Sequence, residues 1–155
     1  MIMDDWIPDS ISDQILVHIS PNGWTDNTIA LEWLQHFHTY TITQTKGVYR
    51  LLILDGHSSH TTFQFVQYCQ DHNIIPLCLP PHSTHYLQPL DVGIFGPLAK
   101  AYRMRVSQGS IFGAQRIDNY QFLIYYTDAR KTISQNIPSA WRGAGLYPFN
   151  PDKVL

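Results

Sequence analysis

At 155 residues the chain is long enough for one hydrophobic core and too short to lead one to expect two domains. It is 44% hydrophobic and only 14% charged, which excludes a largely disordered chain and points to a packed body. The formal net charge of −2 excludes the broad basic surface by which most nucleic-acid binders hold phosphates, so any such role must rest on a local site or on a region outside this polypeptide.

Residues 1–14 carry Asp4, Asp5, Asp9 and Asp13 with one apolar anchor, Trp6, and are expected to form an acidic leader loop ahead of a domain over residues 15–155. They lack the basic and apolar regions of a signal peptide. No apolar run approaches the roughly 20 residues of a membrane span, so a soluble intracellular protein is expected. Ile15-Leu16-Val17-His18-Ile19 is a short strand candidate, stopped by the turn cluster Ser20-Pro21-Asn22-Gly23. Thr25 or Asp26 can cap a helix running to about His38. Its Ile29, Trp33 and Phe37, joined by Ala30 and Leu34, predict one buried stripe.

Tyr49 to Leu54 shows no alternation, which predicts a strand covered on both faces, as in the middle of a parallel sheet. Thr61 to His72 reads as a crossover helix with Phe63, Val66 and Cys69 as one stripe and Phe65 and Tyr68 beside it. Ile74 to Leu79 is then a second, parallel strand. Cys69 and Cys78 lie in these apolar runs and are expected as buried free thiols. Beyond Asp91 the spacing of Val92, Phe95, Leu98, Tyr102 and Val106 is helical, with Pro97 kinking the helix or restarting it. Gln108 to Gln115 reads as a loop, Ile117 to about Ser134 as a helix, and Pro138 to Arg142 as a short helix ending at Gly143. Tyr147-Pro148-Phe149-Asn150-Pro151 is expected to be largely extended.

The chemistry gathers between Leu51 and Asp91. In parallel sheets, sites form beyond the carboxyl ends of the strands. Asp55-Gly56-His57-Ser58-Ser59-His60 lies there, and so does His82-Ser83-Thr84-His85, which leads to Asp91. Two aspartates at such a mouth can hold Mg²⁺, a hard ion that prefers oxygen ligands. Their bland alternative is a turn at Asp55-Gly56 and a helix cap at Asp91. His57, His60, His82 and His85 could bind zinc, although the spacing fixes no geometry and lacks the usual companions. Hydrogen bonding to the loops and carboxylates is the simpler role. A serine-hydrolase reading fails for want of a Gly-x-Ser-x-Gly elbow.

Asp55-Gly56-His57-Ser58-Ser59-His60, followed by the run from Cys78-Leu79-Pro80-Pro81-His82 to Gln88-Pro89-Leu90-Asp91-Val92-Gly93, resembles the DDE transposases of the pogo/Tigger/Fot1 group, which includes centromere protein B and jerky-like relatives. Asn22-Gly23-Trp24-Thr25-Asp26-Asn27, Glu32-Trp33-Leu34 and Gly145-Leu146-Tyr147-Pro148-Phe149-Asn150-Pro151 are similar as well. The resemblance implies an α/β, RNase H-like mixed sheet with flanking helices. It also implies nuclear work on transposon-end DNA. Three aspartates would hold two Mg²⁺ or Mn²⁺ ions for strand cleavage and transfer, and no further cofactor is implied. Asp55 matches the second aspartate and Asp91 the third. His57, His60, His82 and His85 fall in supporting positions around them.

The family's first aspartate lies in an Asp-Glu-x-Gly-like context that this sequence lacks, and Asp4, Asp5, Asp9 and Asp13 do not match it. The expectation is therefore a C-terminal portion of the catalytic domain, with the first strands missing, nearly inactive alone. An exposed sheet edge would then favour self-association. Two other readings stay open: a domesticated, non-catalytic DNA-associated or protein-interaction module, and a zinc-binding protein.

Overall fold

The computed structural model describes residues 7–8, 15–21, 23–111 and 116–154. They divide into two compact units, one over residues 15–82 and one over residues 83–154 together with residues 7–8. Trp6 and the early aspartates of the leader lie outside the described residues.

In the first unit the Asp26 carboxylate accepts the Ile29 N–H at 2.8 Å and so caps helix α1, Asn27–Thr41. Strand β1 (Arg50–Leu54), helix α2 (Phe63–Asp71) and strand β2 (Ile74–Cys78) follow. The strands pair in parallel, Leu52 opposite Pro76 and Leu54 opposite Cys78, which is the expected strand–helix–strand unit. The Leu79 N–H extends the ladder to the Leu54 carbonyl at 2.9 Å. Thr62 caps α2, and Asn73, in the left-handed region at φ 54, turns the chain from α2 into β2.

Leu52 and Leu54 of β1 enter a core with Ala30, Leu34, Phe65, Cys69 and Ile74, against which Phe37 and Tyr68 pack. Among the described residues only one face of the sheet is covered, which corrects the expectation of two. Leu51 is 54% exposed and its partner Ile75 49%. Both helices of this unit contribute to the single core on the Leu52–Leu54 side, so Leu51, Ile53, Ile75 and Leu77 fall on the other face. Phe63 likewise lies outside the α2 stripe, which runs instead through Phe65 and Cys69. The run Ile15–Ile19 pairs with no strand, and Leu16 and Ile19 are exposed.

Arg50 ties the helix ends to β1. Its guanidinium donates to the Thr41 hydroxyl at 2.8 Å and the His72 carbonyl at 2.9 Å, and lies 2.7 Å from His38 Nδ1. A guanidinium only donates, so His38 Nδ1 accepts. Burial, with His72 and Arg50 nearby, holds the His38 pKa below its ordinary value.

Cys69 is buried as expected, and burial pushes its thiol up to about 11. Cys78, the last residue of β2, is exposed, contrary to expectation. At neutral pH a thiol reagent is therefore expected to label one cysteine of the folded chain rapidly, and Cys78→Ser to abolish that phase. Labelling of both at equal rates would contradict this assignment.

In the second unit α3 (Thr84–Leu87) and α4 (Pro89–Gly93) are short, and Pro89 opens α4. The helical path breaks at Ile94, and α5 (Phe95–Ile111) restarts with Pro97 in its first turn. Residues from Gln108 were expected as a loop, yet α5 continues through them to Ile111. Gly109 there lies directly against the Tyr125 side chain, so its small size serves helix packing. The rest of that expected loop, residues 112–115, lies outside the described residues.

Helix α6 (Asn119–Ile133) is capped by Asp118, which accepts the Gln121 N–H at 2.7 Å. Helix α7 spans Ile137–Gly143. Helix α5 packs on α6 and α4 on α7, with Ile94, Ile133 and Ala140 as the core and Leu98 against it. Asn150 is extended, as expected before proline, whereas Tyr147 and Pro148 form a turn that bridges Leu146 to Phe149. No helix among the described residues is long and apolar enough to cross a membrane.

Candidate functional site

Strand β1 delivers Asp55 to the carboxyl end of the sheet, where the chain makes one tight turn over Ser58–His60. The His57 N–H donates to Asp55 Oδ1 at 3.3 Å, and His60 Nδ1 lies 3.0 Å from the same oxygen. That second contact brings the buried Nδ1 to the distance of an ion pair without the angle of a directed hydrogen bond. Both contacts fall on Oδ1 and fix the carboxylate, whose side chain is 47% exposed.

His57 caps the tight turn with its ring. Its Nδ1 accepts the Ser59 N–H at 3.3 Å and lies 2.8 Å from the Ser59 hydroxyl. A ring nitrogen that accepts from an amide is unprotonated, so the neutral ring carries its proton on Nε2. The His60 ring packs 5.6 Å from that of Phe65, linking this turn to the core. The result is an open cleft of about 190 Å³ lined by Trp24, Thr25, Asp55, His57, Ser59 and His60.

Of the residues expected at the site, Asp55, His57 and His60 thus meet in one cleft. His82, at φ 61, belongs to the first unit but not to the cleft lining. His85 stands on α3 of the second unit, its ring 3.9 Å from Tyr86. Asp91 lies exposed in the first turn of α4. It does not cap that helix, since the cap position is Gln88. Its charge instead complements the amino-terminal end of the helix dipole. Among the described residues of either unit, no three His, Cys, Asp or Glu side chains gather as a metal-ligand group.

Sequence reasoning did not place Trp24 and Thr25 at the site. The available signal was their position just ahead of the α1 cap, at the amino end of a helix that packs on the Ser58–His60 turn.

A family model described as DDE superfamily endonuclease matches residues 9–141. The chain belongs to this family. Both Asp55 and Asp91 lie inside the segment that matches the DDE superfamily endonuclease model. A curated relative from Cochliobolus lunatus, named MFS-type transporter clz9, is 43% identical over 152 residues. The alignment takes in 97% of this chain and 16% of that protein, so the chain spans about a sixth of the relative's length. No solved structure matches the chain.

Proposed function

We propose that this DDE family domain acts on DNA in the nucleus, in the manner of the pogo/Tigger/Fot1 group, through metal-dependent phosphodiester cleavage and strand transfer on an RNase H-like sheet. The observation that carries the reading is the fixed Asp55 carboxylate at the carboxyl end of β1, opening into a cleft inside the family-matched segment. Asp91 is the second carboxylate of the reading.

The donor chemistry at Asp55 fits a hard divalent ion. One carboxylate with Oδ2 outside its two internal contacts, in a cleft that Thr25 also lines, offers oxygen donors and room for retained waters. When bound, Mg²⁺ or Mn²⁺ supplies charge neutralisation and activation of the attacking oxygen. The chain's own groups set the geometry. The His57 amide and the His60 ring orient Asp55, and Ser59 holds His57 in one tautomer. With two carboxylates assigned where the family uses three, nicking by the purified chain is expected to be slow. The transporter name of the fungal relative belongs to a much longer protein and is not carried over to this segment.

Calorimetric titration with Mn²⁺ tests the reading. Asp55→Asn is expected to weaken binding at least ten-fold, and Asp91→Asn to weaken it as well, while the far-ultraviolet spectrum of each variant stays that of the parent. Unchanged Mn²⁺ affinity in a folded Asp55→Asn protein would remove Asp55 from the metal site.

A further inference from the structure

Trp24 lines the Asp55 cleft and is 74% exposed, a large apolar surface for a side chain beside a carboxylate. Its place is set on both sides. Gly23 turns the chain at φ 76 immediately before it, and Asp26 locks the start of α1 two residues after it. The indole therefore belongs to the cleft lining just ahead of the α1 cap.

We propose that Trp24 is a stacking platform for an unpaired nucleobase of the DNA strand that enters the Asp55 cleft, which rests on the DNA-cleaving reading above. Two physical points favour a base over other partners. A net charge of −2 gives the chain no overall pull on phosphates, so a contact that salt does not screen is the kind of hold this cleft can add. Stacking on an aromatic side chain is such a contact, and every base has a face to offer. The base must be unpaired, because within a duplex both of its faces are already covered by its neighbours. The substrate class is thus DNA with a frayed, overhanging or flipped-out nucleotide next to the phosphate to be cut.

The test is fluorescence anisotropy with the purified chain and two labelled DNAs, a blunt duplex and the same duplex with a short single-stranded overhang. Ca²⁺ replaces Mg²⁺ to prevent cleavage. The parent is expected to prefer the overhang DNA. Trp24→Ala should lose that preference by about ten-fold, the scale of one lost stacking contact. Trp24→Phe should restore most of it, and the salt dependence should stay the same in all three proteins.

If Trp24→Ala weakens both DNAs equally, or neither, the platform is disproved. In that case loss of Mn²⁺ binding in Asp55→Asn leaves the cleavage reading standing. If the folded parent binds neither DNA at low salt, platform and cleavage reading fall together.

Discussion

Phe65→Ala is expected to destabilise the first unit by about 3–5 kcal/mol, the range for emptying a buried aromatic site. Phe65 is fully buried and sits where α1, β1 and α2 meet, among Leu34, Leu52, Leu54 and Cys69. Among the described residues of this unit the sheet has two strands and one covered face, so no second core on that sheet can compensate. A loss of this size is a large fraction of the total stability of a small unit. Phe65→Leu keeps most of the volume and should cost less than about 1.5 kcal/mol. The effect should reach the cleft, because the His60 ring rests on Phe65 and His60 in turn faces Asp55. Urea unfolding followed by circular dichroism, with hydrogen exchange at the β1 amides, measures the loss. A Phe65→Ala cost below about 1 kcal/mol would show that the core collapses around the site and that Phe65 is not its centre.

The strand–helix–strand order was legible because it rests on local patterns. Leu51–Leu54 and Ile74–Leu79 are apolar runs too short for helices, and Thr62 and Asp26 are good caps. What covers a strand is not local. An unbroken apolar run looks the same whether its second face is packed or bare, so the exposure of Leu51 and Ile75 could not be read in advance. Gly109 misled in the opposite way. Glycine signals a loop by its backbone freedom, but here it answers a side chain, Tyr125, that only tertiary packing brings against it.

The site divides along the same line. Asp55, His57 and His60 are close in sequence, and one turn was enough to bring them together, so their spacing carried the information. Trp24 and Thr25 reach the cleft because α1 packs on the Ser58–His60 turn; the sequence marks their place ahead of the α1 cap but not that contact. The tautomer of His57 was equally hidden. It depends on the Ser59 amide meeting Nδ1, a detail of the turn that composition does not record.

Gly93→Ala puts local preference and packing in direct opposition. Within a helix, alanine is favoured over glycine by roughly 0.5–1 kcal/mol, so propensity alone forecasts a more stable protein. Packing forecasts the reverse. A Cβ on Gly93 would stand 2.7 Å from Ala140 Cβ and 2.9 Å from Ala140 Cα, where α4 crosses α7. The second contact is to backbone, which cannot rotate away, so the helices must separate. Overpacking of this kind costs about 1–3 kcal/mol, which outweighs the propensity gain. Ala140→Gly removes the nearer clash and leaves the contact with its Cα. The double variant should therefore recover part of the loss, with a coupling of at least about 0.5 kcal/mol in the mutant cycle. Asp91 shares α4 with Gly93, so the same separation should also weaken any metal binding that depends on Asp91. Thermal unfolding of the two single variants and the double variant decides the matter. A Gly93→Ala protein more stable than the parent would mean that the α4–α7 crossing is loose enough to yield, and that its close approach contributes little to the second unit.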